Sequence, residues 1–147
     1  MAKRFTREEI KQRFQASIDA GQPIVIASAG IGIAAKFAER GGADMIGLFN
    51  SSYLGLGRVE ATSLMPYGNA NDIVMSLGDR IFPVVQNTPI LGGIIGSDPT
   101  REMTPFLKIM QFKGFPAVIN FPSPGFAYGQ HRRNLERNNY GVQQELK

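Results

Sequence analysis

The sequence has no cysteine and no tryptophan, and it contains a single histidine in 147 residues. Without cysteine the chain can form no disulfide, no thiolate nucleophile and no zinc site with thiolate ligands. One histidine cannot build a multi-histidine metal site within one chain. A metal bound by this chain is therefore expected to be a hard cation, such as Mg²⁺, held by oxygen ligands.

The sequence also lacks a long apolar run and an interleaved pattern of basic and aromatic residues. No stretch approaches the ~20 apolar residues of a membrane-spanning helix, and the residues after Lys3 and Arg4 are charged rather than an apolar signal core. The net charge is +4, which without interleaved aromatics favours attraction of small anions over nucleic-acid binding. We therefore expect a cytoplasmic protein that binds neither a membrane nor nucleic acid.

A repeated pattern is present instead: a short apolar strand, a turn rich in glycine, asparagine or aspartate, and a helix, occurring about four times. A hydrophobic content of 43% is enough for a packed core. Because each helix must carry the chain back before the next strand, the strands are predicted to be parallel. The predicted strands are Pro23–Ala27, Met45–Phe49, Pro89–Ile95 and Ala117–Asn120, and the apolar run of the first predicts burial on both faces.

The helices are predicted from capping residues and apolar spacing. Thr6 and Glu9 have the spacing of a capping box, which begins a helix at about 6–20 with Ile10, Phe14 and Ile18 on its buried face. Asn69 or Asn71 is predicted to cap one later helix, and Asp98 or Thr100 another, with Phe106, Leu107, Ile109 and Met110 buried. The remaining helices are predicted at Ile33–Arg40, at Gln130–Arg137 and from Val142.

Four such units amount to half of a (βα)₈ barrel, whose usual length is about 250 residues. We therefore predict an α/β fold in which residues 1–147 form a single, partial TIM-barrel domain. A half barrel leaves two strand edges unpaired. Three interpretations stay open: the chain is a truncated piece, two copies complete each other, or the sheet is open.

Polar residues follow each predicted strand, and ligands of parallel sheets bind at the carboxyl ends of the strands. Ser28, Asn50, Asp98 and Asn120 are therefore expected to gather around one pocket. The carboxylate of Asp98 suits Mg²⁺ or a general base, although an N-cap role is compatible with either. The asparagine amides suit the orientation of a carboxylate or phosphoryl group without adding charge.

The first turn has a second interpretation. Gly30-Ile31-Gly32-Ile33-Ala34-Ala35 fits the spelling of a dinucleotide-binding fingerprint. Such a site also needs an acid after the second strand, where this chain has Asn50. A glycine turn whose amides face a bound anion, and a turn without a ligand, are the alternatives.

Four other polar residues give weaker signals. Arg58 and Glu60 lie in a long irregular stretch, where Arg58 has the geometry to clamp an anion but solvent exposure is the simpler expectation. His131 and Lys36 are expected at the surface. No Ser–His–acid arrangement can be recognised.

Several segments together resemble the phosphoenolpyruvate hydrolase-like family, also described as the TIM-barrel signal transduction family. The similarity runs in collinear order from about residue 5 to the end of the chain. In Leu64-Met65-Pro66-Tyr67-Gly68-Asn69-Ala70-Asn71, Asn69 stands where the family pattern has an acid. The other segments are Ala29-Gly30-Ile31-Gly32, Gly41-Gly42-Ala43-Asp44, Phe49-Asn50-Ser51, Gly96-Ser97-Asp98-Pro99, Asn120-Phe121-Pro122 and Asn134-Leu135-Glu136.

The resemblance implies a (βα)₈ barrel similar to enzymes that cleave or rearrange C–C or P–C bonds beside a carbonyl group, usually with Mg²⁺. It implies a small anionic 2-oxo acid or phosphoenolpyruvate-like substrate. Related barrels also form a domain of plant antiviral resistance proteins. We further expect a homo-oligomer.

On that basis Asp98, Asn50 and Asn120 are the predicted catalytic residues, with Asp98 as the metal ligand or base and the two amides orienting an enolate oxygen. Ser28, Gly30 and Gly32, with Ser51, Asn69 and Asn71, are the predicted substrate-binding residues. Two other functions remain as hypotheses: a non-catalytic binding or assembly module of the same fold, and a nucleotide- or flavin-binding α/β domain.

Overall fold

A parallel sheet of four strands is the framework of the protein. The structure, a computed structural model, describes residues 3–54 and 68–146; the predicted Arg58 and Glu60 lie outside these residues. The strands are Ile26–Ser28 (β1), Met45–Leu48 (β2), Ile90–Ile94 (β3) and Ala117–Asn120 (β4). The helices are Arg7–Asp19 (α1), Gly32–Arg40 (α2), Ala70–Ile81 (α3), Met103–Lys113 (α4), Gly129–Arg137 (α5) and Val142–Glu145 (α6).

The strands lie in chain order, and every neighbouring pair is parallel. This arrangement confirms the predicted (βα) repeat and is that of a half barrel. It also bears on the dinucleotide hypothesis, because a doubly wound sheet binds its cofactor where the strand order reverses. The order β1-β2-β3-β4 has no such reversal among the described strands.

The two middle strands are buried, whereas the two outer strands are not. Every residue of β2 and β3 is buried. The prediction that the first strand is buried on both faces is wrong: Ile24, Val25 and Ile26 are exposed, and the strand begins at Ile26 rather than at Pro23. The reason is that β1 pairs only with β2 among the described strands, so one side of it has no neighbour to cover it.

The helices cover one face of the sheet. Ile46, Leu48, Ile90 and Ile94 point into a core that α3 and α4 complete with Val74, Leu77, Ile81, Phe106 and Met110. Leu107 and Ile109, predicted on the buried side of α4, are exposed. The stripe of that helix that packs against the sheet carries Phe106 and Met110 instead. Burial of one such stripe is the usual source of stability for a surface helix.

The other face, which is the interior of a barrel, is covered at its amino-terminal end by α1. Ile10 of that helix packs on Met45 and Leu91, with Phe5 and Phe14 beside them. Arg13 Nη1 donates to the Asn87 carbonyl at 2.9 Å, just before β3. Thr6 and Glu9 form the predicted capping box at the start of α1, and Ile18, predicted on the buried face, is exposed beyond the sheet.

Phenylalanine rings cover the same interior face at its carboxyl-terminal end. A Cβ at Gly93 would collide with the Phe49 ring, and a Cβ at Gly47 would lie 2.6 Å from it. The Phe49 and Phe121 rings meet edge to face at 4.9 Å between centroids. The two glycines therefore allow an aromatic ring to lie flat on the sheet.

Among the described helices, none is long and apolar enough to cross a bilayer.

Candidate functional site

The Asp98 carboxylate, at the exit of β3, is enclosed by hydrogen-bond donors. Its Oδ2 accepts from Asn69 Nδ2 at 3.0 Å, Asn71 Nδ2 at 2.9 Å and Arg101 Nε at 2.6 Å. Its Oδ1 accepts from the Thr100 backbone N–H at 2.9 Å and from Thr100 Oγ1 at 2.6 Å. A carboxylate offers about four lone-pair positions, so donors of the protein occupy the whole group.

Asn71 connects this carboxylate to the sheet. Its side chain is fully buried. The Ile95 backbone N–H donates to Asn71 Oδ1 at 2.9 Å, and Asn71 Nδ2 donates to the Ile95 carbonyl at 3.2 Å as well as to Asp98. Asn71 therefore holds both backbone polar groups of Ile95, where the chain leaves β3.

Asn69 confirms one predicted cap and adds a contact. Its Oδ1 accepts from the backbone N–H groups of Asn71 and Asp72 at the start of α3, while its Nδ2 donates to Asp98. Asp98 and Thr100 do not cap α4, contrary to the prediction, because the helix begins after Glu102 and the Asp98 oxygens are engaged within their own loop and with α3. We call Asn69, Asn71, Asp98, Thr100 and Arg101 the Asp98 cluster.

The chemistry of Asp98 follows from these donors. Burial by itself would raise the pKa of the Asp98 carboxyl, but the hydrogen bonds from Thr100, Asn69 and Asn71 outweigh it and hold the pKa well below its ordinary value of 3.8. An effective general base at neutral pH needs a pKa near the working pH. In this arrangement Asp98 is a poor proton acceptor and a strong anchor for the loop.

The residues of the Asp98 cluster do not fit a Mg²⁺ ion. Mg²⁺ needs carboxylate oxygens free to enter an octahedral shell, whereas both Asp98 oxygens are occupied and a guanidinium nitrogen lies 2.6 Å from one of them. Asn69, which stands where the resembling sequences have an acid, supplies a donor rather than a ligand charge. Across residues 3–54 and 68–146, no three acidic or histidine side chains group as a metal site.

The depressed pKa of Asp98 predicts how stability depends on pH. A carboxyl whose folded pKa lies below its unfolded value contributes stability that is fully present above the unfolded value, and this contribution is lost as the pH falls from there through the folded pKa. Urea unfolding of the wild-type chain should therefore give a free energy that falls between about pH 5 and pH 2. Asp98→Asn should flatten this slope, whereas Asp79→Asn, at a 68% exposed side chain, should keep it. Equal slopes in all three proteins would refute the assignment.

A second group of predicted residues lies at the exits of β1 and β2. Ser28 Oγ and Ser52 Oγ are 2.7 Å apart. A Cβ at Gly30 would collide with the Ser52 carbonyl oxygen, so Gly30 permits two backbone segments to touch. Gly32 opens α2, whose start has no side-chain cap. Asn50 is buried, and with the half-buried Ser51 it begins the short 3₁₀ helix Asn50–Leu54.

A third group lies at the exit of β4 and includes residues that the sequence analysis did not select. Ser123 Oγ donates to Glu145 Oε2 at 2.6 Å. The Cα of Glu145 and the Oδ1 of Asn120 both border Gly96, at 3.3 and 3.5 Å from the position of a Cβ there. Burial raises the pKa of the Glu145 carboxyl despite the hydrogen bond from Ser123. Glu145 Oε1 is buried and has no hydrogen-bond partner among the described residues.

A cavity of about 510 Å³ opens beside this third group. Ser97 lines it from the exit of β3, Ser123 and Phe126 from the exit of β4, and His131 from the first turn of α5. Most of the lining is apolar, with a few polar groups, which is the usual composition of a small-molecule site. Its volume lies within the roughly 300–1,000 Å³ of such sites.

The predicted site residues follow all four strands, with Asn50 and Ser51 at the exit of β2. Ser28, Gly30 and Gly32 are at the exit of β1, Asp98 with Asn69 and Asn71 is at the exit of β3, and Asn120 is at the exit of β4. None of them lines the described cavity, and their catalytic and binding roles stay predictions. His131 is exposed, as expected, and it also lines the cavity; its position after a strand-exit loop was the available signal for the second role.

Comparisons with known proteins extend the resemblance seen in the sequence. A model of the family described as phosphoenolpyruvate hydrolase-like matches residues 9–147. The chain is 41% identical over 143 residues to ToMV resistance protein Tm-1(GCR237) of Solanum lycopersicum, covering 95% of this chain and 19% of that protein. For ToMV susceptible protein tm-1(GCR26) of the same species, the identity is 41% over 140 residues, covering 93% and 19%.

A bacterial protein is also similar. The protein y4pA of Sinorhizobium fredii, provisionally named as a transcriptional regulator, is 34% identical over 145 residues, covering 95% of this chain and 23% of its own length. The chain therefore spans about a fifth of the length of these curated relatives.

Proposed function

The chain belongs to the phosphoenolpyruvate hydrolase-like family, and on that premise we propose that it is a ligand-binding half of a (βα)₈ barrel. Its ligand is a small organic anion of the 2-oxo acid or phosphoenolpyruvate type. The observation that carries the proposal is the cavity at the carboxyl ends of β3 and β4, into which the start of α5 projects.

The start of α5 gives this cavity an affinity for anions. Tyr128, the N-cap residue, lines the cavity and makes no side-chain hydrogen bond to the helix, so the first N–H groups of α5 are left for another acceptor. Helix amino termini carry a partial positive charge that favours carboxylate and phosphate groups. His131 and the hydroxyl groups of Ser97 and Ser123 line the same cavity. The apolar remainder suits the carbon part of such a ligand.

Binding without turnover is favoured over catalysis by the Asp98 cluster. All five donors around Asp98 stabilise its charged form, so the residue that sequence reasoning selected as base or metal ligand is committed to the fold. The tomato relatives support the same choice, because their names refer to resistance and susceptibility to a virus rather than to a reaction.

Enolate-stabilised cleavage of a P–O, P–C or C–C bond is the second candidate function. Glu145 favours it, since a carboxyl group with a raised pKa is suited to acid–base chemistry. Its hydrogen bond to Ser123 places it behind the wall of the cavity. In this candidate Glu145 acts through Ser123, and it is a positioning residue for that hydroxyl group.

One titration tests the proposed binding site. We expect saturable shifts of amide resonances near the cavity when phosphoenolpyruvate or pyruvate is added to the 147-residue chain. His131→Gln should weaken binding roughly tenfold, the value of one hydrogen bond to a charged group. Arg137→Gln, in the last turn of the same helix, is the control and should leave the affinity unchanged.

The same samples report on turnover. Release of pyruvate or phosphate, lowered by Glu145→Gln, would favour the catalytic candidate. No saturable binding of either anion, or equal losses in His131→Gln and Arg137→Gln, would overturn the proposed site.

A further inference from the structure

Each of the two outer strands has one edge that pairs with no other described strand. Among the described strands, β1 pairs only with β2 and β4 only with β3, so each has one unused row of backbone donors and acceptors. Val25 and Ile26 are 48% and 46% exposed, and Val118 and Ile119 are 40% and 45% exposed. Exposed apolar edges of this kind are pairing surfaces unless something covers them.

The register of the sheet shows how such edges can meet. Ser28, the last residue of β1, is aligned with Gly47, which is aligned with Leu91, which is aligned with Ala117, the first residue of β4. The alignment therefore moves from the last residue of the first strand to the first residue of the fourth strand in three steps, which is about one residue per step. A closed eight-stranded barrel with a shear of 8 needs a shift of about one residue at each step, so this half sheet already has the stagger of a closed barrel.

We propose that two copies of this chain close one eight-stranded barrel around a twofold axis along the barrel. In this dimer β4 of each copy pairs in parallel with β1 of the other. Both unused edges are covered at once, and the assembly closes rather than growing into a filament. This inference concerns assembly and does not rest on the proposed ligand.

The apolar side chains match across this contact. A fourth step of about one residue places Ile26 of the second copy opposite Ile119 and its Val25 opposite Val118. Ile26 aligns with Met45 and Ile119 with Gly93, both on the interior face of the sheet. The two isoleucines therefore meet inside the barrel, while the two valines meet on the side that the helices cover. The same register brings Ser28 of the second copy beside Phe121, so both copies contribute to each half of the carboxyl-terminal rim.

Sedimentation equilibrium on the 147-residue chain tests this dimer. We expect a mass near 32 kDa, twice the 16.1 kDa of one chain. Ile26→Glu and Ile119→Lys should each give a monomer, because either change places two buried charges in the dimer. Ile109→Lys, at an exposed position of α4 away from both edges, should remain a dimer.

Mixing the two monomeric variants gives the decisive result. In a mixed dimer one contact pairs glutamate with lysine, and the other keeps two isoleucines, so Ile26→Glu and Ile119→Lys should associate in a 1:1 ratio. Circular dichroism of each variant establishes that it is folded. A monomeric wild-type chain, a filament, a dimer unaffected by both edge variants, or folded variants that fail to associate on mixing would overturn the proposal.

Discussion

Replacing Asn71 with alanine is expected to lower the free energy of unfolding by about 3 to 4 kcal/mol. The side chain is fully buried and makes three hydrogen bonds, two with the Ile95 backbone and one with Asp98. Its removal leaves the half-buried Ile95 N–H and C=O without their partners, and it takes one donor from the buried Asp98 carboxylate. Each unsatisfied buried group costs about 1–3 kcal/mol.

Urea unfolding followed by circular dichroism measures this loss. Asn134→Ala is the matched control, because the same atoms are removed from an exposed position on α5. Its effect should stay within about 0.5 kcal/mol. If Asn71→Ala were as stable as Asn134→Ala, the Asp98 cluster would not be the anchor described above.

Gly30→Ala is expected to destabilise the chain by about 3 kcal/mol or more, at the upper end of the range for overpacking. The added methyl group would overlap the Ser52 carbonyl oxygen, which belongs to the backbone and cannot rotate away. Relief would require the segment after β2 to move from the exit of β1, which would also break the contact between the Ser28 and Ser52 hydroxyl groups.

Gly32→Ala separates this packing effect from a ligand-binding motif. A Cβ at Gly32 has the Val84 side chain at 3.3 Å as its nearest neighbour, which can adjust, so the change should be close to neutral. Thermal unfolding of the two variants should therefore differ widely. Similar destabilisation by both substitutions would show that the glycine pair acts as one turn and that the Ser52 contact is not decisive.

The fold was predictable because its signals are local. Alternating apolar runs and helix signals predicted parallel strands, and the Thr6 and Asn69 caps lie where short-range spacing places them. The burial of β1 was predicted wrongly for a reason that is not local. A run such as Pro23–Ala27 records that a strand is apolar, but it does not record how many neighbours the strand has, and β1 has one among the described strands.

The site was predictable only in part. Sequence reasoning located polar residues at the strand exits, but it could not tell which of them use their hydrogen bonds on one another. Asp98 was assigned to α4 because it precedes that helix, whereas three of its donors come from Asn69, Asn71 and Arg101. Glu145 was not selected because its neighbours, Gly96 and Ser123, are distant in sequence.

The position of α1 determines how a ligand reaches the interior. Ile10, Phe5 and Phe14 lie across the amino-terminal ends of the strands and seal them with side chains. A barrel built on this sheet is therefore closed at its amino-terminal end, and a ligand would approach it from the strand-exit loops.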